Sequence, residues 1–379
     1  MTSFHYAAII LVLLSATGCS SILKEEGRMK WKIAGELPSE NGYASPGVAG
    51  PLTGSYNNLL IIAGGANFPE KMPWEGGKKI YHNDLVLFVE KSNFFSPLYL
   101  KKQLPYNLAY SANCTTPKGI IAAGGENETG ILSQVLLISL NKNNEPEWSR
   151  LPDLPVAVTG AAAATDGKYM IVAGGDTKDS TSSLAWVINL DDLSTGWRTL
   201  TPVPVAVSNA VIVYNTAISK FFLAGGRTKT SSGITKFHQS VFSYDLFNNK
   251  WEEVSSIPYP LAAGTGVAIG NEIFLIGGDK GIVYNKTEEL IKKINQEPDV
   301  VKKDSLIKEK NHLQQNHPGF GREILVYNVL KDVWENAGIF PFEIPVTTTA
   351  VLINDEIILP SGEIKAGVRS PKIISGRLK

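Results

Sequence analysis

The chain has 379 residues, 43% of them hydrophobic and 19% charged, with 36 Lys+Arg set against 36 Asp+Glu. So apolar a chain is globular, which excludes disorder and leaves two domains or one repeat architecture. The balanced charge excludes a long-range field that would gather nucleic acid or anionic lipid, and the 35 glycines point to many tight turns between strands.

The first element is the apolar run Ala7 to Ala16, about ten residues and too short to span a bilayer, which reads as the core of an export signal. It leads into Ala16-Thr17-Gly18-Cys19, similar to a bacterial lipoprotein cleavage box with Cys19 as the lipidated residue; an ordinary cleaved signal peptide is the alternative. Residues 1–19 are therefore expected to be a signal, 20–28 a tether and 29–379 the folded part. The expected location is the periplasm or the outer membrane, with membrane contact only through the lipid. If Cys19 carries lipid, Cys114 has no partner for an intramolecular disulfide.

The folded part is repetitive. Apolar runs ending in paired glycine recur, as in Leu59–Gly65, Ile120–Gly125, Met170–Gly175, Phe221–Gly226 and Ile273–Gly278, with a degenerate sixth at Ile357–Gly362. The second glycines stand at 65, 125, 175, 226, 278 and 362, a spacing of 60, 50, 51 and 52 residues before a jump to 84. Trp148, Trp197, Trp251 and Trp334 keep the same phase, 27 to 29 residues before the next second glycine, with Leu98 in that place in an earlier unit and Trp31 near it at the start. Two marks in one phase identify the kelch pattern of four strands per unit. A lone sheet of this kind cannot bury both faces, whereas radial stacking buries them and leaves only short edges. The predicted fold is all-β, a six-bladed kelch-type β-propeller.

The last unit offers strands around Val346–Ile353, Glu356–Gly362 and Pro371–Leu378 but no fourth, while Met29–Ile33 is a lone fourth-strand pattern. Pairing the two completes the sixth blade and removes open edges. The 84-residue gap holds a Lys/Glu-rich insertion, 285–320, with helical patterning around Glu288–Asn295 and Ser305–Gln314. It reads first as a solvated excursion between strands two and three of blade five, with a lid or a partner surface as the alternative.

Phosphate loops, nucleophile elbows and metal-ligand spacing are missing: of His5, His82, His238, His312 and His317 only the last two are close, on the polar insertion. Chemistry is expected where the second strands end near the axis. The residues after the glycine pairs are Ala66, Glu126, Asp176, Arg227, Asp279 and Glu363, five of six ionisable. They suit a polar ligand in an axial mouth or, more plainly, rim salt bridges.

Ser361-Gly362-Glu363-Ile364-Lys365-Ala366-Gly367-Val368-Arg369 resembles the Gly-Glu-x-Lys-x-Gly-x-Arg stretch of N-acetylneuraminate (sialic acid) mutarotases, also called epimerases. Ile62–Pro69 with Lys78–Tyr81, the Gly124-Gly125-Glu126 turn and the blade-five insertion are similar too, in an order shifted so that the family's usual start falls near Leu154. The chain thus looks like a cyclically permuted member. Family members carry charged residues at interblade turns where this chain has 106–110 and 204–208.

The resemblance implies an isomerase that interconverts the anomers of N-acetylneuraminate or a related acidic sugar by acid/base ring opening. It implies no cofactor or metal, and a small-molecule partner without nucleic acid. Glu363 and Arg369 match the family's catalytic pair, and Lys365, Asn67, Lys79, Tyr81, Glu126 and Arg227 are further substrate-binding candidates. A carboxylate near the axis suits the proton shuttle, and Arg suits two-point contact with the sugar's carboxylate. The alternative is a non-catalytic propeller that binds a glycan or protein.

Overall fold

The computed structural model describes residues 27–39 and 42–379, so the export segment, Cys19 and most of the expected tether lie outside the described residues. What is described is all-β apart from one helical pair. Unit one comprises strands Leu52–Tyr56, Leu59–Ala63, Asp84–Lys91 and Phe94–Gln103. Unit two follows with Ala112–Thr116, Gly119–Ala123, Val135–Leu140 and Pro146–Leu151, and unit three with Ala162–Thr165, Tyr169–Ala173, Ala185–Asn189 and Trp197–Thr199. Unit four has Val211–Asn215, Lys220–Ala224, Val241–Asp245 and Lys250–Val254. Unit five has Thr265–Ile269, Glu272–Ile276, Glu323–Asn328 and Val333–Ile339. Unit six joins Val351–Ile353, Glu356–Pro360 and Lys372–Leu378 to Met29–Glu36, which pairs antiparallel with Lys372–Leu378. One parallel bridge, Gly35 to Phe95, pairs a strand of unit six with one of unit one.

Second strands such as Leu59–Ala63 and Gly119–Ala123 are buried along their whole length because neighbouring units cover both faces, which is why their sequences are apolar without alternation. The core is correspondingly divided among the interfaces between units. Ile171, Val187, Phe221 and Tyr244 fill the gap between units three and four, and Ile61, Leu87, Ile120 and Ile138 the gap between one and two. Phe274, Val326, Ile357 and Leu359 do the same between five and six, and Leu60, Phe88, Ile358 and Ile373 between six and one.

A circuit of backbone hydrogen bonds closes the centre. Gly50, Tyr110, Gly160, Asn209, Ala263 and Thr347 each donate N–H to the carbonyl of the equivalent residue one unit back, at 2.7 to 2.9 Å, the first donating to the last. All six have φ between 51° and 64°: Gly50 62°, Tyr110 55°, Gly160 63°, Asn209 54°, Ala263 59° and Thr347 53°. For Thr347, β-branched, and Tyr110 this left-handed backbone is a strained conformation held by the closed circuit.

The paired glycines answer to the same closeness. A Cβ at Gly174 would stand 2.2 Å from the Val207 carbonyl oxygen of unit four, and the Gly175 N–H donates to that same oxygen at 2.8 Å. Farther from the centre the tryptophans tie units together: the indole N–H of Trp197 donates to Pro152 O at 2.7 Å, that of Trp251 to Thr201 O at 2.8 Å and that of Trp334 to Ser255 O at 2.7 Å.

The insertion forms two helices between the second and third strands of unit five, α1 (Ile282–Gln296) and α2 (Val300–Gln315). Both are longer than the sequence patterning suggests. Asp299 caps α2 by accepting from the N–H groups of Val301 and Lys302, at 2.9 and 3.0 Å. The expectation of a solvated excursion is corrected for α1, which lies over the mouth. Glu288 accepts from Thr235 N and Thr235 Oγ1 at 2.7 and 2.8 Å, and Tyr284 meets Phe237 edge-on at 5.6 Å, so α1 is fastened to unit four. α2 comes against the turn Pro73–Glu75 of unit one. Cys114 is a free thiol whose burial pushes its pKa up to about 12.

Candidate functional site

The residue after each glycine pair is fixed by two reciprocal backbone hydrogen bonds to the residue just before the central circuit. Glu363 exchanges them with Val346 at 2.8 and 2.9 Å, and Asp279 with Ala262 at 3.0 and 2.8 Å. The same bridges hold Ala66, Glu126, Asp176 and Arg227, so all six positions stand around one mouth. From there the chain usually makes a short hairpin, as in Glu363–Lys365 with Val368–Arg369. In unit five that hairpin is replaced by α1 and α2.

The hairpin of unit six brings the two leading candidates together. Glu363 is paired in register with Arg369, and Arg369 Nη1 lies 3.6 Å from Glu363 Oε1. Glu363 Oε1 also accepts from Gly367 N at 2.6 Å. Only 5% of the Arg369 side chain is exposed, yet its Nε and Nη1 have no hydrogen-bond partner. The guanidinium carbon sits 4.8 Å from the Phe68 ring centroid, and that ring holds its plane. Burial pushes the Glu363 carboxyl above its usual range, against the pull of Arg369 and the Gly367 N–H.

Glu363 opens into a cavity of about 420 Å³ bounded by Arg227, Asp279, Ala263 and Thr347 from the units and by Val283, Tyr284, Ile291, His317 and Phe320 of the insertion. A second hollow of about 280 Å³ shares Arg227, Asn209 and Thr347 and adds Lys79, Tyr110, Glu126 and Asp176. The two read as one depression, largely apolar where α1 walls it and polar towards Lys79 and Asp176.

The other candidates divide. Lys79 Nζ and the Tyr81 hydroxyl both reach Glu126 Oε1, at 2.7 and 2.8 Å, and Lys79 lies over the Tyr110 ring at 5.1 Å. Arg227 Nη2 binds Asp176 Oδ2 at 2.9 Å and leaves its buried Nη1 without a partner. These four line or border the depression, Tyr81 through its bond to Glu126. Lys365 and Asn67 do not join them. Lys365 points along the rim to Glu343, 3.6 Å away. Asn67 is 5% exposed and its amide is used by the scaffold, donating to Gly47 O at 3.0 Å and meeting His82 Nε2 at 2.9 Å.

Tyr110, Asn209, Phe68 and Tyr284 were not among the expected site residues. Tyr110 faces Arg369 from the central circuit, and burial raises its phenol pKa while Arg369 beside it pulls the other way. A signal for it exists in the sequence: in four units the circuit residue is the fifth after the turn proline, as Tyr110 is after Pro105 and Asn209 after Pro204.

A family model described as "N-acetylneuraminate epimerase" matches residues 151–379. Proteins named N-acetylneuraminate epimerase are similar to part of the chain. The one from Haemophilus influenzae (strain 86-028NP) is 23% identical over 227 residues, 60% of this chain and 59% of its own length, and that from Pasteurella multocida (strain Pm70) is 24% identical over 229 residues, 60% and 58%. The one from Vibrio cholerae (serotype O1, El Tor Inaba N16961) is 36% identical over 104 residues, 25% and 26%. The chain thus spans about 59% of the first of these relatives. The segments at 62–69, 78–81 and 124–126 lie outside the matched stretch.

Proposed function

From the premise that this chain belongs to the N-acetylneuraminate epimerase family, we propose that it is a mutarotase for free N-acetylneuraminate or a related acidic sugar, acting without a cofactor. One observation carries the proposal: a guanidinium that is only 5% exposed stands 3.6 Å from the Glu363 carboxylate with no hydrogen bond made by its Nε or Nη1. Burying donors without acceptors costs about 1–3 kcal/mol. A ligand carboxylate offers an acceptor to this buried cation.

Sialic acid carries a carboxylate on its anomeric carbon, so Arg369 holding that group sets the anomeric hydroxyl and ring oxygen before Glu363. Anomer exchange opens the hemiketal to the keto acid and closes it on the other face. Each direction removes one proton from an oxygen and delivers one to another. Burial pushes this carboxyl above its usual range, the direction that suits a group that must both take and give a proton. Phe68 and Tyr110 orient the guanidinium, and α1 limits the entry of water.

The proposal includes the scaffold. The six units around a closed circuit suit a kelch-type propeller of six blades, and a match that begins at residue 151 suits a cyclic permutation of the family's order. Export, with Cys19 as the lipid-bearing residue, belongs to the same reading.

The test is proton NMR exchange between the two anomers. Added protein should speed the exchange, and Glu363→Ala should return it to the uncatalysed rate. No acceleration by the wild-type protein removes the proposal and leaves a binding module.

A further inference from the structure

The cavity holds a second carboxylate. We infer that Asp279 is the proton-transfer partner of Glu363, one carboxyl serving the anomeric hydroxyl and the other the ring oxygen. This rests on the mutarotase reading.

Asp279 occupies in unit five the position that Glu363 occupies in unit six, held by the same reciprocal backbone bonds. The two units meet at the circuit bond from Thr347 N to Ala263 O, 2.9 Å, and both carboxylates line the 420 Å³ cavity. Of the mouth's five charges, Asp279 alone has no ion-pair partner among the described residues: Glu126 has Lys79, Asp176 and Arg227 pair with each other, and Glu363 has Arg369. Its Oδ1 accepts from Gly281 N at 2.8 Å, while Oδ2 takes no hydrogen bond from the described residues.

The surroundings favour a neutral, proton-carrying state. Burial pushes Asp279 up, Arg227 opposes, and Asp279 in turn raises Glu363. The other titratable groups on the cavity are Tyr284, whose phenol burial also raises, His317, which burial and Lys365 lower, and Glu288, bound to Thr235. Nearest to Asp279 in sequence, Lys280 is occupied by Glu323 at 2.7 Å. In the working state one proton is held between the two carboxyls.

The step balances. The ionised carboxyl takes the proton of the anomeric hydroxyl as its oxygen becomes the carbonyl. The bond from the anomeric carbon to the ring oxygen breaks, its electron pair stays on that oxygen, and the other carboxyl's proton goes there. The pair has then exchanged charge states. Rotation of the keto group followed by reclosure runs both transfers backwards, giving the other anomer and restoring the pair.

The alternative is that Asp279 only turns the chain into α1 through Gly281 N. Asp279→Asn keeps that acceptor and removes the proton carrier, so it separates the two roles. Anomer exchange is followed by NMR from about pH 4 to about pH 9 for wild type, Asp279→Asn, Asp279→Glu, Glu363→Gln and the double variant Asp279→Asn/Glu363→Gln. Asp279→Asn should lower kcat by about 10²-fold with little change in KM and abolish one limb of the pH–rate profile. Asp279→Glu should recover part of the rate, and the double variant should be no slower than Glu363→Gln within about threefold, because the pair acts as a unit. If Asp279→Asn keeps kcat within about threefold and both limbs while Glu363→Gln is inactive, the inference falls and the mutarotase reading stands. If the wild-type protein does not catalyse exchange at all, both fall.

Discussion

Units five and six start from the same backbone position and depart from it in opposite ways. In unit six the chain turns back at once, and the tight hairpin sets Arg369 against Glu363. In unit five it leaves through Gly281 into α1 and α2, so Asp279 faces the mouth without a cation of its own while the helices wall the cavity. One geometry makes a charge-paired carboxylate and its neighbour an unpaired one. The difference shows that the scaffold fixes where a side chain stands, whereas the excursion after it fixes what that side chain can do.

That contrast can be broken most sharply at Glu363. Glu363→Gln, which keeps shape and removes the titratable proton, should cost about 10²–10⁴-fold in kcat for anomer exchange, read by NMR. Next comes the helical wall. Replacing residues 282–320 by a short turn like that of unit six should raise KM roughly tenfold and leave strand content by circular dichroism nearly unchanged; an unaltered KM would mean the wall does not touch the sugar.

Stability sharpens the same comparison. A carboxyl whose folded pKa lies above its unfolded value favours the folded state while protonated, and that contribution is lost as pH rises from the usual carboxylate range through the raised value. Asp279→Asn should therefore raise Tm at pH 8 by about 2 °C and leave it unchanged near pH 4. Thermal scans at the two pH values check it, and a loss at pH 8 would mean that the charge is stabilising. The smallest effect is expected at the rim, where Lys365→Ala should change kcat/KM by less than about twofold, since Lys365 reaches Glu343 and not Glu363.

Much of the scaffold was legible because its causes are periodic. The glycine pairs mark where a neighbouring unit's carbonyl crowds the backbone, as Val207 crowds Gly174, and the tryptophans mark cross-unit indole bonds. The closing of unit six by Met29–Glu36 followed from its missing fourth strand. Glu363 and Arg369 were legible as a pair because a hairpin that short leaves them no room to diverge. Tyr110 was not, since its inward aim comes from a left-handed backbone imposed by the circuit and not by residue type. α1 read as solvent-facing because of its many Lys and Glu residues, although Val283, Leu290 and Ile291 turn inward and Glu288 and Tyr284 fasten it to unit four. Asn67 and Lys365 misled for a related reason: a residue type suited to a sugar is equally suited to a carbonyl or a rim carboxylate.

The strand Met29–Glu36 finds its partner only when Lys372–Leu378 exists, and the seam beside it, Val48 N to Ser361 Oγ, joins residues 313 apart. Such long-range closure is slow and comes late in folding. The Glu363 hairpin immediately precedes the closing strand, so the reactive pair takes its place only as the last gap shuts. The proposed site is therefore complete only once Lys372–Leu378 has been made and has paired with Met29–Glu36. A chaperone that held those two ends apart would leave the pair unassembled without touching the cavity.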